Sequence, residues 1–445
     1  MTTDQITLED LVREQDPARL RDWLDEQGAL DIAEELVRLD DEDRAMPFRL
    51  LPKNRALAVF EALDPIHQKE LLDALGEIDA DQLFGQIDAD DRARLIEEVP
   101  ATVARRLLAS LPADSRDNTN RLLGYPEESV GRTMSPRYVS VRATMTAADA
   151  LAKVRRAGLR SREVLALPVT DDQRRVVGAI DLPDLVTASP GTTVGELTRP
   201  DVYSVRVDED QEVGARLVQE ADLVALPVVD TEDRLVGVLT VDDAMEVIEL
   251  EETEDAMRAG GLEPLDVPYL EATVLRLARK RAVWLLVLII AAVLTVNVLG
   301  FFEDTLEEVL ALALFIPLLI DTGGNSGSQA ATVVIRSMAV GEVRFSDLPR
   351  ILRRELVVGL LLGVMLGVIA VPVVSIFFGL DFALVIGSTL LVICTWASFA
   401  GGMLPLVAQR IGVDPAVVSA PVITTLVDAT GLIIYFLIAR AVLGI

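Results

Sequence analysis

Beyond Lys280 the chain is dominated by long apolar stretches, roughly Ala282–Phe302, Leu306–Ile335, Leu356–Phe378, Phe382–Ala408 and Ala416–Val442. Each reaches the roughly 20 residues that a helix needs to cross about 30 Å of hydrocarbon. A five-helix membrane domain is therefore expected here. Arg276, Arg279, Lys280 and Arg281 precede the first stretch, Arg336, Arg344, Arg350, Arg353 and Arg354 crowd the link after the second, and Arg410 follows the fourth. The opposite links, FEDTLEE and GLD, contain no base. By the positive-inside bias the basic links face the cytoplasm, with the N-terminus inside and the C-terminus outside; Arg440 is the dissenting charge.

Two of these stretches contain groups that lipid should exclude. PLLIDTGGNSGSQAATVVIRSM, from Pro317 to Met338, brings Asp321, Thr322, Gly323, Gly324, Asn325, Ser326, Gly327, Ser328 and Gln329 into the second. At about 30 residues that stretch would be roughly 45 Å long if fully helical, so a break at the glycines is expected. Irregular backbone at such depth is tolerated only where it is buried in protein or lines a wet cavity. The fifth stretch places Asp428 near its middle, and Pro421, Thr424, Thr425 and Asp428 fall at i, i+3, i+4 and i+7. That spacing makes one polar stripe on a helix. A carboxylate at mid-membrane costs roughly 2.5–3.5 kcal/mol, and no Lys or Arg lies at comparable depth to pair with it. It is either a protonated or helix-bonded Asp holding helices together, or a cation site in an aqueous path; the stripe favours the second.

The net charge of -29 is unevenly spread: up to residue 270 there are 58 acidic and 30 basic residues, against 12 and 11 from Glu271 onward. An acidic soluble half thus precedes a nearly neutral apolar one. Nucleic acid is a poor partner, because its phosphates would be repelled; cations are natural ones, although most acidic surfaces are simply solvated. Cys394, the single cysteine, lies in an apolar run, which excludes a disulfide framework and a cysteine metal cluster. His67 is the single histidine, which leaves few acid–base or zinc constellations. The opening MTTDQITLEDLVREQD has neither a basic start nor an apolar core. It does not read as a signal peptide, and the acidic half is expected in the cytoplasm.

Two repeats organise that half. Leu39-Asp40, Leu51-Pro52, Leu63-Asp64, Leu75-Gly76, Ile87-Asp88, Val99-Pro100 and Leu111-Pro112 recur every 12 residues. An apolar residue followed by a cap or breaker predicts short helices that bury their faces against neighbours. The second repeat has a period of 59: VLALPVTDDQRRVVGAIDLPDL from Val164 matches LVALPVVDTEDRLVGVLTVDDA from Leu223. Each copy reads as strand, turn, strand and then a helix. These motifs resemble tandem CBS domains. Thr240 and Asp243 occupy positions where some CBS modules bind the ribose and phosphate of adenosine nucleotides, but the first copy has Asp181 where a hydroxyl is wanted, so ATP binding is left open. A strongly acidic helix then runs from Asp243 to about Ala259 and ends at Gly260-Gly261. Crowded carboxylates of this kind repel until bridged by a hard divalent cation, which prefers oxygen ligands.

The order of these parts, together with DTGGNSGSQAA and DPAVVSAPVITTLVDATG, resembles the MgtE family of magnesium channels over nearly the whole chain. YPEESVGRTMS, with Glu127 and Glu128, is similar to the family's junction before the first CBS copy. The resemblance implies a multidomain fold: an all-α helical-repeat N-domain (1–130), an α/β tandem CBS module (131–250; copies at about 134–190 and 191–250), a connecting helix (243–268) and an α-helical membrane domain with five transmembrane helices (269–445). It also implies a homodimer in the lipid of the cytoplasmic membrane. Asp428 would hold hydrated Mg2+, with Asn325, Gln329, Thr424, Thr425, Gly323 and Gly324 lining the pore, the glycines leaving carbonyls free for the ion's waters. Asp90, Asp222, Asp243, Glu246, Glu251, Glu254 and Asp255 would bind regulatory Mg2+ that closes the pore. The alternative within transport is a broader divalent-cation carrier or an ion-coupled exchanger under nucleotide control. A membrane-bound sensor or membrane-embedded enzyme is the other class, and with one histidine and one cysteine an enzyme is not expected.

Overall fold

The computed structural model describes residues 7–14, 16–158, 164–199, 202–265, 267, 269–270, 272–418 and 420–445. The opening residues 1–6 and Gln15 of the stretch read above as lacking a signal peptide lie outside these, as do Asp266 and Pro268 near the end of the connecting segment. The chain divides into two compact units, Met1–Leu250 and Glu251–Ile445.

In the first unit, helices begin at Ala29, Asp41, Lys53, Pro65, Glu77, Ala89, Ala101 and Ala113, a spacing of 12 that follows the sequence period. The joints explain it. Leu39, Leu51, Leu63, Leu75, Ile87, Val99 and Leu111 are all buried, so each repeat tucks its last apolar residue into the core before a cap or proline starts the next helix. At one such joint the Asp64 side chain accepts hydrogen bonds from the amides of Ile66 and His67, and Pro65 takes the first helical position. Both devices satisfy or remove donors that a helix start leaves unpaired.

The 59-residue repeat folds as two matching hairpins. In the first copy β1 (Ala166–Thr170) pairs antiparallel with β2 (Val176–Asp181). In the second, β3 (Val205–Arg206) lies parallel to β4 (Ala225–Val229), which pairs antiparallel with β5 (Leu235–Thr240). Both hairpins shift register at the equivalent place, Val169/Thr170 and Val228/Val229. Each copy has its own apolar core, and Ala89, Ala93 and Leu122 of the helical repeats join that of the second copy. The connecting helix runs Val241–Ala259, starting in the first unit and ending in the second. Gly261, at φ 70°, takes the left-handed turn just beyond it.

Among the described residues, the second unit holds five helices long and apolar enough to cross a membrane: Val274–Phe301, Leu310–Ala339, Phe345–Phe378, Leu380–Arg410 and Ala420–Leu443. These are the first to fifth spans below. The second span does not break where the glycines led us to expect. It opens with a 3₁₀ segment, Leu310–Phe315, and then runs as unbroken α-helix from Ile316 to Ala339. Its excess length is absorbed before the glycines, not at them. The glycines instead admit neighbouring helices: a Cβ on Gly323 would come within 2.5 Å of Ile393, and one on Gly327 within 2.9 Å of Ile423.

Small residues also set a contact that the sequence reading missed. On the third span Gly359 and Gly363 press against the fourth, where an added Cβ would lie 2.6 Å from the Cys394 carbonyl and 2.5 Å from the Leu391 Cα. With the buried Gly367 they form a small-xxx-small-xxx-small series, the spacing that lets helix backbones approach closely in lipid. That spacing was visible in the sequence and was the signal to follow.

Candidate functional site

The second and fifth spans lie against each other in a defined register. Gly323 abuts Val427, Gly324 abuts Thr424 and Gly327 abuts Ile423, while the Ser328 hydroxyl donates to the Ala420 carbonyl at 3.4 Å. Numbers rise along one helix as they fall along the other, so the two run antiparallel. Continuing that register one turn places Asp321 level with Asp428.

A cavity of about 280 Å3 opens along this seam, lined by Pro317, Asp321, Gly324, Asn325, Thr424 and Asp428 among others. Asp428 is half-buried, whereas Asp321 and Asn325 are exposed. The hydroxyls of Thr424 and Thr425 both donate back to the Pro421 carbonyl, at 2.9 and 2.8 Å. Their protons are committed to the helix, which leaves each oxygen able only to accept from other groups. The cavity thus offers carboxylate, amide and hydroxyl oxygens, an array suited to a hard cation with its waters.

Several residues proposed from the sequence lie elsewhere. Gly323 is buried against Ile393 and Val427, and neither Gln329 nor Thr425 lines the cavity. Asp321, which the sequence reading left without a role, does. The surrounding helices are tied by buried or partly buried polar contacts: Ser326 to Ser398 at 3.0 Å, Trp396 Nε1 to the Thr430 hydroxyl at 2.9 Å, and the Tyr435 hydroxyl to the Leu312 carbonyl at 2.9 Å.

The regulatory candidates fall into separate groups. In the first unit Asp90 is buried, and Arg94 reaches Glu246 at 2.6 Å and Asp91 at 3.6 Å. Burial, then the nearby Asp243 and Asp91 charges, raises Asp90 well above the usual carboxylate range. Burial likewise pushes Asp91 up to about 6 and Asp243 up to about 7, although the Thr240 hydroxyl opposes the latter. That hydroxyl lies 2.6 Å from carboxylate oxygens of both Asp242 and Asp243, so the two nucleotide candidates, Thr240 and Asp243, are already in contact with each other. In the first copy Asp181 pairs with Arg199 at 2.7 Å. Asp222 stands apart, exposed at a turn with φ 50°.

Within the second unit, the end of the connecting helix touches one end of each cavity helix, the last turn of the second span and the approach to the fifth. Glu252 pairs with Arg336 of the second span at 3.1 Å. Arg258 pairs with Glu254 on its own helix and with Asp414, just before the fifth span, at 2.5 Å. Glu251, Glu254 and Asp255 are partly buried there. Among the described residues no three His, Cys, Asp or Glu side chains form a ready-made metal cage.

Comparison with known proteins fits this division. Residues 316–438 match a family model described as a divalent cation transporter, 28–128 match the MgtE intracellular N domain, and 129–191 and 194–250 match CBS domains. The chain is 40% identical over 443 residues to the magnesium transporter MgtE of Thermus thermophilus, covering 98% of each chain. It is 30% identical to the protein of the same name from Bacillus subtilis, covering 99% of this chain and 98% of that one. Among solved structures, the cytosolic domain of an Mg2+ channel MgtE in complex with ATP is 35% identical, covers 54% of this chain and 99% of that one, and superposes with a TM-score of 0.51.

Proposed function

Because the chain belongs to the MgtE family of divalent-cation transporters, we propose that it is a magnesium channel of the cytoplasmic membrane, passive, homodimeric and closed by Mg2+ on its cytoplasmic side. The family is one of transporters and not of enzymes. The observation that carries this reading is the oxygen-lined cavity between the second and fifth spans, with Asp428 in its wall. Its volume has room for several waters. Mg2+ dehydrates reluctantly, so Asp428, Asn325 and Thr424 contact the ion's water shell and hold it by charge and hydrogen bonds. Two copies facing each other would double the carboxylates around one path.

For regulation, the Asp90, Asp91, Asp243 and Glu246 group fits a hard divalent ion: its donors are all oxygen, and Arg94 pairs with Glu246 and Asp91. A bound cation would supply the positive charge that this desolvated group lacks. The residues themselves do the rest: their mutual repulsion loosens the helical repeats from the second CBS copy when the charge is unbalanced, and its relief favours compaction. Binding shifts the equilibrium only if the compact form binds better than the loose one. Nucleotide at Thr240 and Asp243 would draw on the same carboxylate. The cytosolic domain of a relative, solved with ATP, supports testing this.

Uptake into liposomes, with the cation varied on each side, tests the whole reading. Passive Mg2+ influx that needs no counter-ion and falls with Mg2+ on the cytoplasmic face is expected. A strict requirement for a counter-ion gradient would contradict the channel.

A further inference from the structure

We propose that Asp321 is a second cation-facing carboxylate of the transport cavity and receives the hydrated ion jointly with Asp428. This deepens, and rests on, the reading of that cavity as the transport site. The first support is register. Gly323–Val427, Gly324–Thr424 and Gly327–Ile423 contacts fix how the antiparallel pair is rotated, and the glycines leave no slack. In an unbroken helix Asp321 and Asn325 stand at i and i+4 and share a face. Both line the cavity that Asp428 lines.

The second support is charge. Asp321 sits in a helix long and apolar enough to span a membrane, where an unpaired carboxylate is costly. Among the described residues, neither Asp321 nor Asp428 has a Lys or Arg within ion-pair distance. The next base along the helix, Arg336, lies about four turns away and pairs with Glu252. Two like charges sharing a low-dielectric wall repel, and a cation between them converts that cost into binding. A structural carboxylate would be expected to share a hydrogen bond with a neighbouring segment, as Ser326, Trp396 and Tyr435 do. Asp321 instead faces the cavity.

The test uses the full chain in liposomes and reads initial Mg2+ influx against external Mg2+. Asp321→Asn is expected to raise the half-saturating concentration about tenfold, the effect of losing about 1.4 kcal/mol of attraction, with a smaller fall in maximal flux. Asp321→Glu should return to within about twofold of the parent, and Thr322→Ala, whose hydroxyl bonds its own helix at Leu318, should match it. An unchanged concentration dependence in Asp321→Asn overturns the proposal. Asp428→Asn, run in parallel, separates the two ideas: its loss of flux keeps the transport-site reading even then, whereas full flux removes that reading as well. Asp321→Ser is the second neutral variant. If neither neutral variant folds while Asp321→Glu does, the carboxylate serves the fold and the proposal is wrong.

Discussion

Single positions decide how a helix behaves in lipid. Arg440, the charge that disagreed with the orientation of the other bases, donates to the Thr305 hydroxyl at 3.0 Å and lies over the Phe302 ring at 5.1 Å. Those contacts give its charge protein partners at the end of the fifth span. Gly363 is decided by space. Replacing it with Leu should lower stability by about 1–3 kcal/mol, read as a lower melting temperature in detergent, because the fourth span leaves no room for a side chain. Gly300→Ala in the first span, where nothing lies within 4 Å, should cause no loss. Asp428 was legible from the sequence by charge, depth and helical spacing. Asp321 was not given a role, because that requires knowing which face of the second span meets the fifth.

At the scale of elements, the period of 12 and the period of 59 both became structure, since capping residues and β-branched runs act locally. The continuity of the second span did not follow from composition. Glycine in lipid serves close packing as readily as it serves a break, and only the bulky Ile393, Ile423 and Val427 opposite show which applies. The connecting helix was read as a row of repelling carboxylates. The pairs Glu252–Arg336 and Arg258–Asp414 add attraction that needs no divalent ion. Half-exposed pairs of this kind are worth about 0.2–1 kcal/mol. Arg258→Gln should therefore raise the cytoplasmic Mg2+ needed for half-closure by about 1.4- to fivefold. An unchanged closing concentration in flux assays would leave that pair without a part in gating.

For the molecule as a whole, charge is the property that divides it. The acidic first unit carries carboxyls that burial and mutual repulsion raise: Asp90 goes well above the usual range, Asp91 to about 6 and Asp243 to about 7. In the unfolded chain such groups titrate near 4. Between about pH 4 and 7 the folded unit therefore holds more protons than the unfolded chain, and its stability falls as pH rises through that window. At low Mg2+ it should melt higher at pH 5.5 than at pH 7.5, and added Mg2+ should raise the melting temperature more at pH 7.5. Asp90→Asn should flatten the pH dependence and raise the melting temperature at pH 7.5 by about 2–4 °C. A flat profile in the parent would mean that these carboxyls carry no stored repulsion.

If ions cross beside Asp428, Mg2+ influx into liposomes containing the folded Asp428→Ala variant falls to the level of empty liposomes. Influx equal to that of the parent would place the ion path elsewhere.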